Sequence, residues 1–201
     1  MKKIFKFDEF VNERAVPMDD LVKGDTALLV STKKVFGLPH INMVLQNPDK
    51  AIIGFVEMEK LAHDDKAFKI ERSAAEKDYG PDIYDMALMT VYPEGVRPSW
   101  EIKPAAQKVW KYYLENRPDV KKVEIKEDSS EYIDHYEKDK ESEEEHDPAT
   151  LKMINTIYYL EPSEDYKKLV DIGEEIMKKE KINVAEAGTK YFYKKYGSRN
   201  K

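Results

Sequence analysis

The sequence predicts an α/β fold in one domain, with additional helices at its C-terminal end. Two observations predict this class. Short runs rich in Leu, Val and Ile alternate with longer runs whose apolar residues recur every three or four positions, the spacing of an amphipathic helix. A chain of 201 residues can also bury one sizeable core. One mixed α/β domain with appended segments is therefore the expected organisation.

Four strands are expected in the N-terminal part of the chain. Two of them, Ile41–Gln46 and Ala51–Met58, flank Asn47-Pro48-Asp49. This tripeptide is a turn signal, because Pro fixes its own φ and the Asx residues tolerate turns. The pair is therefore predicted to form a hairpin. The other strands are Thr26–Ser31 and Ala67–Arg72, and we expect the second of these to be central in the sheet.

Two helices are expected to follow the strands, at Ile83–Val91 and Pro104–Asn116. Each has apolar residues at helical spacing on one face. Pro104 is acceptable there because a first-turn proline loses no helical hydrogen bond. Between these helices only Gly95–Ser99 offers a fifth strand, and it is a poor one.

The C-terminal region predicts one more strand and two helices. Met153–Leu160 is rich in Ile and Tyr, which is typical of a strand. Apolar residues from Tyr166 to Met177 form a helical stripe. Asn183, with Glu186 three positions later, is an Asn version of a capping box and predicts the start of the last helix.

The composition excludes several functional classes. The chain has no cysteine, so disulfides, thiolate catalysis and Cys-based zinc sites are excluded. The net charge of −6 argues against a general nucleic-acid or membrane-surface binder. No run approaches the roughly 20 apolar residues that a membrane helix needs, and we expect no secretory signal. The histidines show no metal-ligand spacing; they are His40, His63, His135 and His146.

Two segments have an unusual composition. Glu124–Asp147 holds twelve acidic residues and three lysines, which favours a solvated loop or insertion over a cation site. Tyr191-Phe192-Tyr193, followed by two lysines, could stack on RNA, but a packed helix with a basic outer face is the preferred interpretation. The expected divisions are a core at 14–123, an acidic segment at 124–150, and a final strand with helices at 151–201.

Ser73–Tyr84 carries the strongest functional signal. A strand, a tight loop and a helix N-terminus follow one another here, and that order forms an anion site. The stretch Asp78-Tyr79-Gly80-Pro81-Asp82-Ile83-Tyr84-Asp85 resembles the acyl-CoA pyrophosphate loop of the GNAT family of N-acetyltransferases. It is more closely similar to acetyltransferase-like proteins of large tailed phages. Three later segments follow the same phage pattern, at 96–99, 104–113 and 116–120.

This resemblance implies a mixed, mostly antiparallel sheet flanked by helices, with acetyl-CoA in a V-shaped gap between the fourth and fifth strands. It implies transfer of an acetyl group to an amine on a host protein or small molecule. It also implies a set of cofactor contacts, which are Lys77, Asp78, Tyr79, Gly80 and Pro81.

The loop departs from the family's pattern, Gln/Arg-x-x-Gly-x-Gly/Ala. Ala75, Asp78 and Gly80 stand in those three places, and only Gly80 fits. Asp78 would repel a pyrophosphate, and Lys77 could offset that charge. An ordinary strand-to-helix turn is the alternative.

Acyl transfer needs a base for the amine and an acid for the leaving thiolate. The resemblance implies a Tyr on the helix after the fifth strand as the acid, but Trp110 stands at that position. Tyr113 lies one turn further on the same face and is the candidate acid. Glu57 and Glu71 are candidate bases from the strands; charged residues facing solvent are the alternative explanation for both.

Met1–Glu13 carries a second signal. Ile4, Phe7 and Val11 share a helical face, while lysines near its start and carboxylates near its end oppose the helix dipole. The segment resembles the capsid-targeting peptide of phage internal head proteins, which the prohead protease removes. Here cleavage is expected between Glu13 and Arg14. The alternative is an ordinary first helix that packs on the domain.

Two functions follow from these resemblances. The first is an acetyltransferase acting in the host cytoplasm. The second is a non-catalytic protein on the same fold, either an internal protein of the virion head or a host-directed binding protein. In the second case the phage prohead scaffold or protease is the expected partner of the leader.

Overall fold

The computed structural model describes residues 16–61, 64–98, 104–125 and 148–197. The predicted leader, its cleavage site at Glu13 and Arg14, and most of the acidic segment lie outside the described residues. The helices within these ranges are α1 (Met18–Lys23), α2 (Gly80–Thr90), α3 (Pro104–Asn116), α4 (Pro148–Ile154), α5 (Glu164–Glu180) and α6 (Val184–Tyr196). The strands are β1 (Ala27–Val35), β2 (Leu38–Gln46), β3 (Ile52–Leu61), β4 (Asp64–Ala75), β5 (Val96–Arg97), β6 (Lys121–Glu124) and β7 (Thr156–Tyr159).

The strands form one sheet in the order β1-β2-β3-β4-β5-β7-β6. Neighbouring strands run antiparallel except β4 and β5, which run parallel. The expected mixed, mostly antiparallel sheet with flanking helices is thus confirmed. The hairpin of β2 and β3 is confirmed too: the Asn47 side chain accepts a hydrogen bond from the Ala51 N–H at 2.9 Å and closes its turn.

The first four strands form long ladders. β1 pairs with β2 at nine consecutive positions, from Ala27 opposite Gln46 to Val35 opposite Leu38. Phe36 and Gly37 connect these strands and both have positive φ, 50° and 86°, as a two-residue hairpin turn with matching twist requires. β5, β6 and β7 are much shorter, and β1 and β6 are the two edges of the sheet.

Helices cover both faces of the sheet. α2 and α3 bury the larger core on one face, together with Met43, Val56 and Met58 of the central strands. On the opposite face α6 crosses β2, β3 and β4, and α5 packs along β1. The smaller core there contains Val44 and Phe55.

Two glycines allow the close approach of α5 and α6. A Cβ atom on Gly173 of α5 would lie 2.0 Å from the carbonyl oxygen of Leu28. A Cβ atom on Gly188 of α6 would lie 2.2 Å from the Phe55 ring. A ring can rotate away more easily than a backbone carbonyl can, so the first site is the stricter of the two.

An aromatic cluster holds the short strands. The ring centroids of Trp110 on α3 and Tyr158 on β7 are 5.0 Å apart, and Tyr113 lies 6.2 Å from Tyr158. Tyr84 of α2 meets Trp110 edge to face at 5.8 Å. All four side chains are buried, and rings of this size supply much of the apolar area in a core.

The part of the chain after α2 differs from the sequence-based expectation in three places. Met153 and Ile154 end α4, and the strand predicted from residue 153 begins only at Thr156. A short buried apolar run does not distinguish a helix from a strand, which explains the error. The sequence does not predict β6, whose only apolar residue is Val123. The poor fifth strand exists as the two-residue β5.

None of the helices in the described ranges combines the length and the apolar character that crossing a membrane requires.

Candidate functional site

The loop between β4 and α2, residues 76–79, joins the end of a strand to the start of a helix, as the sequence predicts. Asp78 takes a left-handed backbone conformation with φ of 73°, which Asp tolerates better than most residues do. Tyr79 precedes the helix and provides no side-chain cap, and a proline occupies the first turn. The positive end of the α2 dipole therefore has no side-chain acceptor from its capping residue. Lys77 is exposed beside it.

The C-terminal helix holds this loop in place. The Tyr191 hydroxyl donates to Glu76 Oε1 at 2.9 Å, and Lys195 Nζ lies 3.2 Å from Glu76 Oε2. Lys195 also donates to the carbonyl oxygen of Ala75. The last turns of α6 thus fix the end of β4 and neutralise one of the two carboxylates in the loop.

The sheet opens beside this loop. β4 and β5 pair at only two positions, Phe68 with Val96 and Lys69 with Arg97. β4 continues to Ala75, paired with β3 on its other side. In the part of the chain that the structure describes, no strand pairs with β4 on the β5 side beyond Lys69. We call this stretch, residues 70–75, the open edge of β4.

A β-bulge lies at the start of the open edge. Glu57 pairs with Arg72 and Met58 with Ile70, so Glu71 is the extra residue. A bulge bends its strand and increases the local twist. Because it coincides with the end of the β5 ladder, the bulge turns β4 away from β5 at this point and leaves Glu71 where the two strands separate.

Both β4 and β5 lead into helices. α2 begins after the end of β4, and α3 begins after the end of β5, across residues 99–103 that lie outside the described ranges. The carboxyl ends of parallel strands meet at one edge of a sheet, where ligands of open α/β sheets bind. The loop and the open edge therefore lie at the position that this rule favours.

A group of polar side chains occupies the sheet face that carries α6. They alternate with the core residues Met43, Val56 and Met58 and so point to the opposite face. Several are buried: Asn42 is 1% exposed, Lys69 2% and Glu57 7%. We call this group the polar patch; its members are His40, Asn42, Glu57, Glu59, Lys69, Glu71 and Arg72.

Hydrogen bonds in the polar patch fix the tautomer of His40. Its Nε2 lies 3.3 Å from Glu57 Oε1 and its Nδ1 lies 3.4 Å from Asn42 Nδ2. Burial is the main reason that the pKa of His40 is below its ordinary value. A neutral ring with the proton on Nε2 donates to Glu57 and accepts from Asn42. Arg72 donates to the other oxygen of Glu57.

The carboxyl groups of Glu59 and Glu71 have raised pKa values. Desolvation is the main cause in both; repulsion from Glu59 adds to the rise at Glu71, and repulsion from Glu57 to the rise at Glu59. Lys69 opposes both shifts. Glu71, at the bulge, is consequently a better proton acceptor than an ordinary surface carboxylate near neutral pH.

Tyr113, the candidate acid, lies elsewhere. It is 2% exposed in the core on the α2 and α3 face, and its hydroxyl donates to Asp85. Arg117 holds the same carboxylate through two hydrogen bonds of 2.8 and 3.0 Å. Burial, followed by the charge of Asp85, raises the pKa of Tyr113. This network joins α2 to the end of α3.

Another tyrosine is closer to the open edge. The Tyr84 hydroxyl lies 3.0 Å from Ser73 Oγ, and Ser73 belongs to the open edge of β4, where it pairs with Val56 of β3 on the other side. Tyr84 is buried, and its desolvation raises its pKa. It therefore remains protonated at neutral pH.

Asp82 adds a buried carboxyl group to the first turn of α2. It is 4% exposed, and its Oδ2 accepts a hydrogen bond of 3.2 Å from the Val16 N–H. Burial and then the neighbouring Asp85 raise the pKa of Asp82 to about 7. The start of the described chain is attached to α2 through this group.

The structure thus brings some predicted site residues together and separates others. The predicted cofactor contacts form one continuous loop and helix start, and Glu57 and Glu71 share the polar patch. Tyr113 and Tyr84 both lie in the core on the α2 and α3 face, but it is Tyr84 that contacts the open edge, through Ser73. Sequence reasoning missed Tyr84, although it was part of the resembling segment, and it missed His40 and Glu59. Polar residues at period two within β2 and β3 are the signal that could have found the latter pair.

In the described ranges, no group of three or more His, Asp or Glu side chains is arranged to hold a metal ion. No family model, no curated protein and no solved structure matches this chain.

Proposed function

We propose that this chain is a phage acetyltransferase-like protein. It binds acetyl-CoA at the β4–α2 loop and transfers the acetyl group to an amine on a host protein or small molecule in the host cytoplasm. The observation that carries this proposal is the separation of β4 from β5 beside the loop. A V-shaped gap between the fourth and fifth strands is what the resemblance to GNAT-type enzymes implies.

The loop has features that fit a pyrophosphate and two carboxyl groups that oppose it, Asp78 in the loop and Asp82 in the first turn of α2. The uncapped start of α2 and the exposed Lys77 favour an anion. The ion pair with Lys195 neutralises Glu76. Asp78 opposes binding, because its carboxylate belongs to the same four-residue loop. Taken together, these charges favour weak binding of the pyrophosphate. Removing the carboxylate of Asp78 should strengthen it.

Acetyl-CoA, when bound, supplies an activated thioester. Glu71 accepts the proton that the acceptor amine loses as its nitrogen forms the new amide bond, since its raised pKa suits a base near neutral pH. Tyr84 would supply the proton that the thiolate takes up when the carbon–sulfur bond of the thioester breaks. Ser73 orients that hydroxyl on the open edge. Glu57 is a positioning residue that holds His40 and Arg72 beside the base.

A thermal-shift assay with acetyl-CoA and with CoA tests the binding step. A ligand present at about 100 times its dissociation constant should stabilise the protein by about 2.7 kcal/mol, a shift of about 5–10 °C for a chain of this size. Asp78→Gly and Asp78→Asn should both increase the shift, because both remove the carboxylate and both residues accept a left-handed backbone. No shift in any of the three proteins would contradict the proposal.

The variant Glu71→Gln separates binding from chemistry. It should keep the CoA-induced thermal shift while acetyl transfer to a panel of amines, including spermidine and lysine peptides, falls by about 100-fold or more. Glu59→Gln is the matched control: it lies next to Glu71 and should have a smaller effect. Equal loss in both variants would assign the patch a general structural role.

The non-catalytic alternative is favoured by the position of Tyr113, which Asp85 and Arg117 hold in the core. In this case the chain is an internal protein of the virion head, or a host-directed binding protein. Its mature form should then begin at Arg14 after cleavage behind Glu13. Mass spectrometry of the protein from purified virions tests this; a virion form that retains residues 1–13 would exclude the cleavage.

A further inference from the structure

A second surface borders the β4–α2 loop, and the chemistry proposed above does not use it. It is formed by the last turns of α6, outside the segments that resemble acetyltransferases. Tyr196 lies at its centre with Phe192 behind it, and the ring centroids of these two residues are 5.2 Å apart. Lys195 precedes Tyr196 in the same turn, and its contacts with Glu76 and Ala75 join this surface to the loop that contains Lys77. We call this surface the α6 platform.

Contacts place the α6 platform next to the loop. Tyr191 and Lys195 both bind Glu76, at 2.9 and 3.2 Å. Tyr196 directly follows Lys195 in the last turn of α6 and its ring centroid lies 5.2 Å from that of Phe192, which places its ring at the same end of the helix. A ligand with phosphates at the start of α2 would therefore reach Tyr196 with the group attached to them.

Folding does not explain the position of Tyr196. Phe192 makes the contact with the core, where it meets Phe55 edge to face at 6.4 Å. Tyr196 is 60% exposed, so burial of its ring contributes little to stability. An exposed aromatic ring has the chemistry to stack on a nucleobase, and the exposed Lys77 of the adjoining loop can attract phosphates.

We infer that the α6 platform binds the nucleotide part of the ligand, with an adenine ring stacked on Tyr196 and phosphate groups between Lys77 and the start of α2. Lys195 assists by keeping Glu76 neutralised, so that this carboxylate does not repel the phosphates. This inference rests on the proposed function, since it takes CoA as the ligand. It gives a binding role to a helix that the family resemblance does not cover.

Calorimetry with fragments of the ligand tests the inference. The probes are CoA, adenosine 3′,5′-bisphosphate and pantetheine, titrated into the full chain. Tyr196→Ser should weaken binding of CoA and of the bisphosphate by about tenfold, the usual scale for losing one base-stacking contact. Pantetheine binding should not change. Tyr112→Ser is the matched control, since Tyr112 is another partly exposed tyrosine, on α3, and it should behave like the wild type.

The outcomes separate this inference from the proposed function. Wild-type binding of CoA that Tyr196→Ser leaves unchanged would overturn the α6 platform alone. Absence of CoA binding, with the bisphosphate still bound through Tyr196, would overturn acyl transfer and support the platform. Absence of both would overturn both. A single-stranded RNA oligonucleotide could bind more tightly than the bisphosphate and lose that binding in Tyr196→Ser. This result would identify RNA as the ligand of the platform and overturn the inference.

Discussion

The first four strands and the last three strands of the sheet are stabilised in different ways. β1–β4 pair over long, nearly continuous ladders, whereas β5, β6 and β7 are short and depend on the rings of Trp110, Tyr113 and Tyr158. Among the described residues, the two regions pair at two positions between β4 and β5. Because few backbone hydrogen bonds join β4 to β5, these two strands can separate without disturbing the ladders of β1–β4 or the aromatic core around β7.

The largest expected effect is loss of the aromatic core. Trp110→Ala removes the ring that contacts both Tyr84 and Tyr158, and should lower the free energy of unfolding by about 3–5 kcal/mol. Urea denaturation followed by circular dichroism measures it. Trp110→Phe keeps most of the apolar contact and should cost clearly less. Equal costs for the two variants would mean that volume is not what holds the short strands.

A change in the long-ladder region should cost somewhat less. Gly173→Ala places a methyl group against the Leu28 carbonyl and forces α5 away from β1. We expect a loss of about 2–3 kcal/mol, even though Ala favours a helix. Gly188→Ala is the control, because the Phe55 ring can move aside. If Gly188→Ala lowers the free energy of unfolding as much as Gly173→Ala does, the idea that a ring neighbour yields more easily than a backbone carbonyl is refuted.

Tyr113→Phe tests whether this tyrosine is structural. It deletes the hydrogen bond to Asp85, which keeps its two bonds to Arg117, so the expected loss of stability is about 1–2 kcal/mol. The rate of acetyl transfer should not change. Tyr84→Phe should have the opposite pattern: it should strongly lower the rate of acetyl transfer and change the free energy of unfolding little. A lower rate in Tyr113→Phe at unchanged stability would restore Tyr113 as the acid.

The smallest effect is a pH dependence at Asp82. Its pKa is raised to about 7 in the folded protein, so the folded state binds more protons than the unfolded state between the ordinary carboxyl pKa and 7. Stability must therefore fall as pH rises through this window. Asp82→Asn removes the titration, and from about pH 6 to pH 8 the wild type should lose about 1 kcal/mol relative to it. Parallel stability curves would contradict the raised pKa.

The two regions also differ in how well the sequence predicts them. The β2–β3 hairpin follows from the Asn47-Pro48-Asp49 turn, and α3 follows from its apolar spacing and Pro104. The strand β6 has too little apolar character to be recognised, and α4 shares one apolar run with β7. Local pattern is sufficient for long ladders and amphipathic helices, but short strands depend on partners that are distant in sequence.

The candidate site shows the same limit. The β4–α2 loop is visible in sequence because its residues are consecutive, and the structure places a left-handed Asp78 within it. The polar patch is not visible, because His40, Glu57 and Arg72 meet only through the register of three strands. The bulge at Glu71 is a property of that register too. Pairing between strands decides these contacts, and no short segment contains the information.

The edges of the sheet bear on how copies of this protein behave toward one another. An edge strand offers unpaired backbone groups that can recruit the same strand of a neighbouring molecule. Both edge strands here carry two adjacent lysines, Lys33-Lys34 on β1 and Lys121-Lys122 on β6. Adjacent strand residues point to opposite faces, so each pair places positive charge on both sides of its edge. Repulsion between like-charged edges should keep the sheet from growing into fibrils at high concentration.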